Sequence, residues 1–66
     1  MNNWVTIKRD RVDEALAWAK ANCPHYITND YHMCGYNLYD ENLIDFYFMR
    51  SEAGEKEMLM FALKWL

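Results

Sequence analysis

The closing stretch of the chain, 43–66, constrains its fold more than any other. It opens on L-I-D-F-Y-F-M, turns through R-S-E-A-G-E-K-E and ends on M-L-M-F-A-L-K-W-L. The first run alternates with period two, so Ile44, Phe46 and Phe48 share one face of a strand and Leu43, Asp45, Tyr47 and Met49 the other. An all-apolar face of that size needs a cover, and the helix that follows supplies one. That helix, expected over 55–66 with Ser51 or Gly54 as N-cap, spreads Met58, Leu59, Phe61, Ala62, Trp65 and Leu66 over roughly 160° of its circumference. Met60 and Leu63 widen the arc, leaving Lys56, Glu57 and Lys64 as the polar remainder. A helix apolar on so much of its surface calls for burial on more than one side.

The rest of the chain must pair with that strand and share that helix's core. Trp4-Val5-Thr6-Ile7 is a short β-rich run, with Val5 and Ile7 as its inward pair. Asp10 then reads as the N-cap of a helix over 11–22, in which Val12, Ala15, Leu16, Ala19 and Cys23 form one stripe. Pro24 stops it, because the residue before a proline is driven out of the α region. Ala17 and Ala21 make a flat back to that helix, and Trp18 lies at the flank of the stripe. Turn chemistry then appears twice, at Thr28-Asn29-Asp30 and at Tyr39-Asp40-Glu41-Asn42, with Gly35 breaking the run between. This reads as a meander of short strands over 25–28, 31–38 and 43–49, or else as an ordered loop over 28–42. The outcome is one α+β domain over 1–66, of order β-α-β-β-(β)-α, with a mostly antiparallel sheet and two helices packed on one face.

Size and charge narrow the functional classes. A chain of 66 residues buries only about 60% of its extended surface, so oligomerisation is a natural supplement to its core. The net charge of −3 gives no general attraction to nucleic acid or to anionic lipid. No apolar run approaches the roughly 20 residues that span a bilayer, and the first residues lack the form of a signal peptide. With two cysteines and no export signal, a reducing cytoplasm without a disulfide is expected. No nucleotide-binding or nucleophile-elbow motif occurs, and the reading is of a protein that is not an enzyme and takes no cofactor.

The segment I-D-F-Y-F-M-R-S-E-A-G-E-K-E-M-L-M-F-A-L-K-W resembles the endings of small uncharacterised α+β accessory proteins of tailed phages. Those finish in a strand of alternating aromatics, an acidic corner and a helix closing on Phe-x-Leu-Lys/Arg-Trp. The resemblance covers 44–65, a third of the chain, and carries no catalytic residues with it. It implies a viral protein acting in the host cytoplasm, in an accessory or host-interaction role.

Three constellations could carry function. Trp18, Tyr47, Met60 and Trp65 are candidate anchors for a partner, either a second copy in a homodimer or a host or viral protein; methionine adds surface that can re-pack. Trp4 with Lys8, Arg9 and Arg11 could stack on and neutralise nucleic acid, although Asp10 and Asp13 dilute the charge. Cys23, His25, His32 and Cys34 would share one face of a ribbon if Asn29-Asp30 were a two-residue hairpin turn, which makes them a conceivable zinc set. Their spacing on flat strands departs from the usual zinc knuckle, and ordinary core and surface roles are the simpler reading.

Overall fold

The computed structural model describes residues 3–66. Its regular elements are β1 (Trp4–Lys8), α1 (Val12–Asn22) entered through a 3-10 turn at Arg9–Arg11, β2 (Tyr26–Gly35), β3 (Leu38–Phe48) and α2 (Glu52–Trp65). The three strands form one antiparallel sheet in the order β1-β3-β2. With both outer strands antiparallel to β3, β1 and β2 run parallel, and α1 is the crossover that joins them. The fold is the expected α+β arrangement, with both helices in one layer against a single sheet face.

That face follows from the alternation in the strands. Val5 and Ile7 stand opposite Phe46 and Ile44, and all four are buried with Phe48. Ala15, Ala19 and Cys23 come down from α1, and Met58, Phe61 and Trp65 from α2. Phe61 is the hub: its ring lies 4.8 Å from that of Phe46, 5.4 Å from Phe48, 6.2 Å from Trp18 and 6.5 Å from Trp65. Tilted aromatic pairs at such spacings add to what area burial alone gives.

Both helix starts differ from the sequence reading. Ser51, the first of the two expected caps, is the N-cap of α2, its Oγ accepting from the Gly54 N–H at 3.0 Å, and the helix begins at Glu52, three residues before the expected 55. Gly54 lies inside the first turn, buried, where a Cβ would run into the Met49 carbonyl. The cost of glycine in a helix is here the condition for close approach of the preceding strand end. Asp10 does not cap α1. It sits in the 3-10 turn, and the first turn of α1 has no side-chain cap.

The largest difference is in the hairpin. There is no turn at Asn29-Asp30; those residues pair with Phe46 and Asp45 in the middle of the sheet. One long strand runs from Tyr26 to Gly35, and the chain reverses at Tyr36-Asn37, where Asn37 takes a φ of 57°. Asparagine tolerates that left-handed conformation better than most residues. The longer ladder brings Tyr26 against Phe46 and Phe48, with ring centroids 5.8 and 6.1 Å away. The meander's three short strands thereby become two: the first two merge into β2, and the third extends back to Leu38 as β3. No helix among the described residues is long and apolar enough to cross a membrane.

Candidate interaction surfaces

Among the described residues, no helix lies on the sheet's second face. Trp4, Thr6 and Lys8 of β1 share it with Tyr47, Asp45 and Leu43 of β3, and Thr28 and Asp30 of β2 stand opposite Tyr47 and Asp45. Trp4 and Tyr47 pack with tilted rings, centroids 5.9 Å apart. A carboxylate on an uncovered sheet face is ordinarily solvated, yet Asp45 is only 3% exposed. Its partners come from both neighbouring strands: Thr6 Oγ1 donates to Oδ1 at 2.5 Å, and His32 Nδ1 lies 3.0 and 3.1 Å from the two oxygens. Such a buried acceptor is tolerable because donors reach it from two sides. Asp30, directly opposite, has an oxygen occupied by the Tyr31 N–H at 2.7 Å. Burial raises the Tyr47 phenol above its ordinary value of 10.0, and the Asp45 and Asp30 carboxylates push it the same way.

Beyond this network the hairpin leaves the core. Between the pairs Tyr31↔Ile44 and His32↔Asp40, the β3 residues 41–43 have no partner on β2, and the pairing shifts again around Cys34. The bulge is held by the Asn42 N–H donating to Asp40 Oδ1 at 2.9 Å. Outside it, Met33, Tyr36, Leu38 and Tyr39 are all exposed, Tyr36 to 92%. From Tyr26 to Phe48 the chain holds four carboxylates (Asp30, Asp40, Glu41, Asp45) and no lysine or arginine. The distal ribbon is therefore aromatic, apolar and acidic at once.

The candidate nucleic-acid residues are divided by this arrangement. Trp4 and Lys8 are on the open face, but Arg9 and Arg11 belong to the 3-10 turn and serve the fold. Arg9 lies 5.9 Å over the Tyr31 ring and donates to the Glu41 carbonyl at 3.4 Å. Arg11 lies 5.0 Å over the Trp65 ring and donates to that residue's carbonyl at 2.9 Å.

Among the partner anchors, Met60 is exposed, Tyr47 is half-buried on the open face, and Trp18 is half-buried against Phe61 with Lys64 above its ring. Trp65 is not available as an anchor. It is 8% exposed and part of the core, and its Nε1 has no hydrogen-bond partner among the described residues. The reverse error concerns Leu59 and Leu66, expected inside but exposed along with Leu63. Their spacing at 59, 63 and 66 was the available signal, offset by about 135° from Met58, Phe61 and Trp65 at 100° per residue.

The zinc constellation is dismantled. Cys23 is in the core, where burial and then the Glu57 carboxylate raise its thiol above the ordinary 9.0. His25 is held by Glu57, which accepts from its backbone N–H at 2.7 Å and pairs with Nδ1 at 2.5 Å. His32 belongs to Asp45, and Cys34 is exposed near the tip. The long hairpin moves the histidines and cysteines to separate places, and no three His, Cys, Asp or Glu residues among those described converge as a metal site would need. The chain matches no protein-family model, no curated protein and no solved structure.

Proposed function

We propose that this is a non-enzymatic binding protein that docks its distal hairpin onto another protein. One observation carries the reading: a ribbon standing outside the core displays Met33, Tyr36, Leu38 and Tyr39 to solvent beside Asp40 and Glu41. Aromatic side chains lose little rotamer freedom for the area they bring, and they dominate the energetics of interfaces. The absence of lysine and arginine from the hairpin selects the partner's chemistry. An apolar groove rimmed by lysine and arginine suits it, whereas phosphate backbones repel it. A viral origin and a bacterial host cytoplasm belong to the same proposal and rest on the resemblance of 44–65.

Site-specific photo-crosslinking in bacterial cells tests it. A benzophenone amino acid replacing Tyr36 should give a discrete protein adduct, and excess unlabelled chain should compete it away. The same probe replacing Lys20, exposed on α1, should give none. Equal labelling from both positions, or adducts to nucleic acid alone, would remove the proposal.

A further inference from the structure

The helix layer has an outer side, and α2 carries a second apolar stripe on it. Leu59, Leu63 and Leu66 recur at intervals of four and three, with Lys56 three residues before them in the same register. Leu59 is 58% exposed, Leu63 87% and Leu66 78%, and Met60 beside them 49%. This 3-4-3 spacing is the seam by which two helices pack, and it lies opposite the side already used on the sheet. On α1, the outer side offers Ala17 and Ala21, both exposed and both small, so they do not hold a second helix layer away.

We infer that α2 pairs antiparallel with α2 of a second copy of this chain across a two-fold axis. Leu59 of one copy then meets Leu63 of the other, and Lys56 meets Leu66. The charges select this orientation. A parallel pair would set Lys56 against Lys56 and Glu52 against Glu52. The antiparallel pair instead brings each Lys56 to the C-terminal end of the opposite α2, where unsatisfied carbonyls carry partial negative charge. A self-complementary patch of this kind is what a two-fold interface requires.

The area is also of the right order. Four largely exposed side chains amount to about 400 Å² per copy, the size of the largest apolar patch on an ordinary monomer. Two copies with their flanking residues approach the roughly 1,200 Å² at which specific interfaces begin. That implies a concentration-dependent dimer, with both sheets and both hairpins facing outward. The inference is independent of what the hairpin binds.

Sedimentation equilibrium on the full chain, from micromolar to millimolar concentration, is the test. The average mass should rise from one chain towards two, while Leu63→Glu should stay monomeric with an unchanged far-ultraviolet circular dichroism spectrum. Lys56→Glu should weaken the dimer by roughly threefold to thirtyfold, from loss of two helix-end interactions. Orientation is read in a Cys34→Ser background: equimolar Lys56→Cys and Leu66→Cys chains should oxidise to a mixed dimer faster than either variant alone. A wild-type monomer at every concentration overturns the inference. So does a dimer indifferent to Leu63→Glu, or fastest crosslinking by Lys56→Cys with itself. None of these outcomes bears on crosslinking from Tyr36.

Discussion

The two halves of β3 are built from similar residues and live in different environments. Ile44 to Tyr47 runs through the centre of the sheet, paired on both sides, and Ile44, Phe46 and Phe48 lie under the helices. Leu38 to Asp40 pairs with β2 alone, Glu41 and Asn42 bulge out of that ladder, and the leucine and tyrosine of this half are exposed. Both halves are rich in aromatic and aliphatic side chains, so composition does not separate them. What separates them is whether a third strand and a helix layer are present to convert apolar area into stability. The base half folds the protein, and the distal half is carried by it.

If that division holds, equal substitutions should have unequal costs. The largest is expected at Phe61, where truncation to alanine empties the centre of the aromatic cluster and should cost about 3–5 kcal/mol. Leu63→Ala, two residues on but facing solvent, should cost less than about 0.5 kcal/mol at concentrations where the chain is monomeric. Urea denaturation of the two variants measures the contrast directly, and similar losses would erase it. Asp45→Ala should come next, at about 1–3 kcal/mol, because it leaves the Thr6 hydroxyl and the His32 ring without their acceptor. Asp40→Ala on the distal half should cost a fraction of that.

The titrating groups with displaced ionisation all belong to the base half or the core beneath it. Cys23, Tyr26 and Tyr47 are raised from 9.0, 10.0 and 10.0, all mainly by burial. For each, the unfolded chain loses its proton at lower pH than the folded one. Their stabilising effect is therefore complete below about pH 9 and declines as pH rises through the folded values. The urea midpoint should fall progressively above about pH 9, and Tyr47→Phe should make the fall shallower. Trp65→Phe should be small for a core substitution. It removes an indole N–H that has no partner among the described residues while keeping a large ring, so lost packing and relieved desolvation offset each other to within about 1 kcal/mol.

Much of the base half was legible in the sequence. The period-two alternation of Ile44, Phe46 and Phe48, and the pairing of Val5 with Ile7, place the core face without further information. The α1 stripe is equally plain at Ala15, Ala19 and Cys23. The hairpin was not legible, because two dipeptides compete for the turn. Asn29-Asp30 has the stronger turn chemistry locally. Tyr36-Asn37 wins because the long ladder lets Tyr26 pack on Phe46 and Phe48, a gain that involves residues twenty or more positions away. Asp45 illustrates the same limit. Alternation assigns it to the open face, correctly, but its burial depends on Thr6 and His32 arriving from two different strands.

The bulge at 41–43 has a consequence for how this protein can change. A one-residue slip in an ordinary hairpin turns every side chain beyond it to the opposite face. Here the ladder is interrupted after Asp40 and taken up again at Ile44, so residues added to or removed from the tip need not disturb the register beneath. The tip can be lengthened, shortened or rewritten while Phe46 and Phe48 stay where they are. A lineage carrying this fold could alter what the hairpin touches without having to solve its folding again.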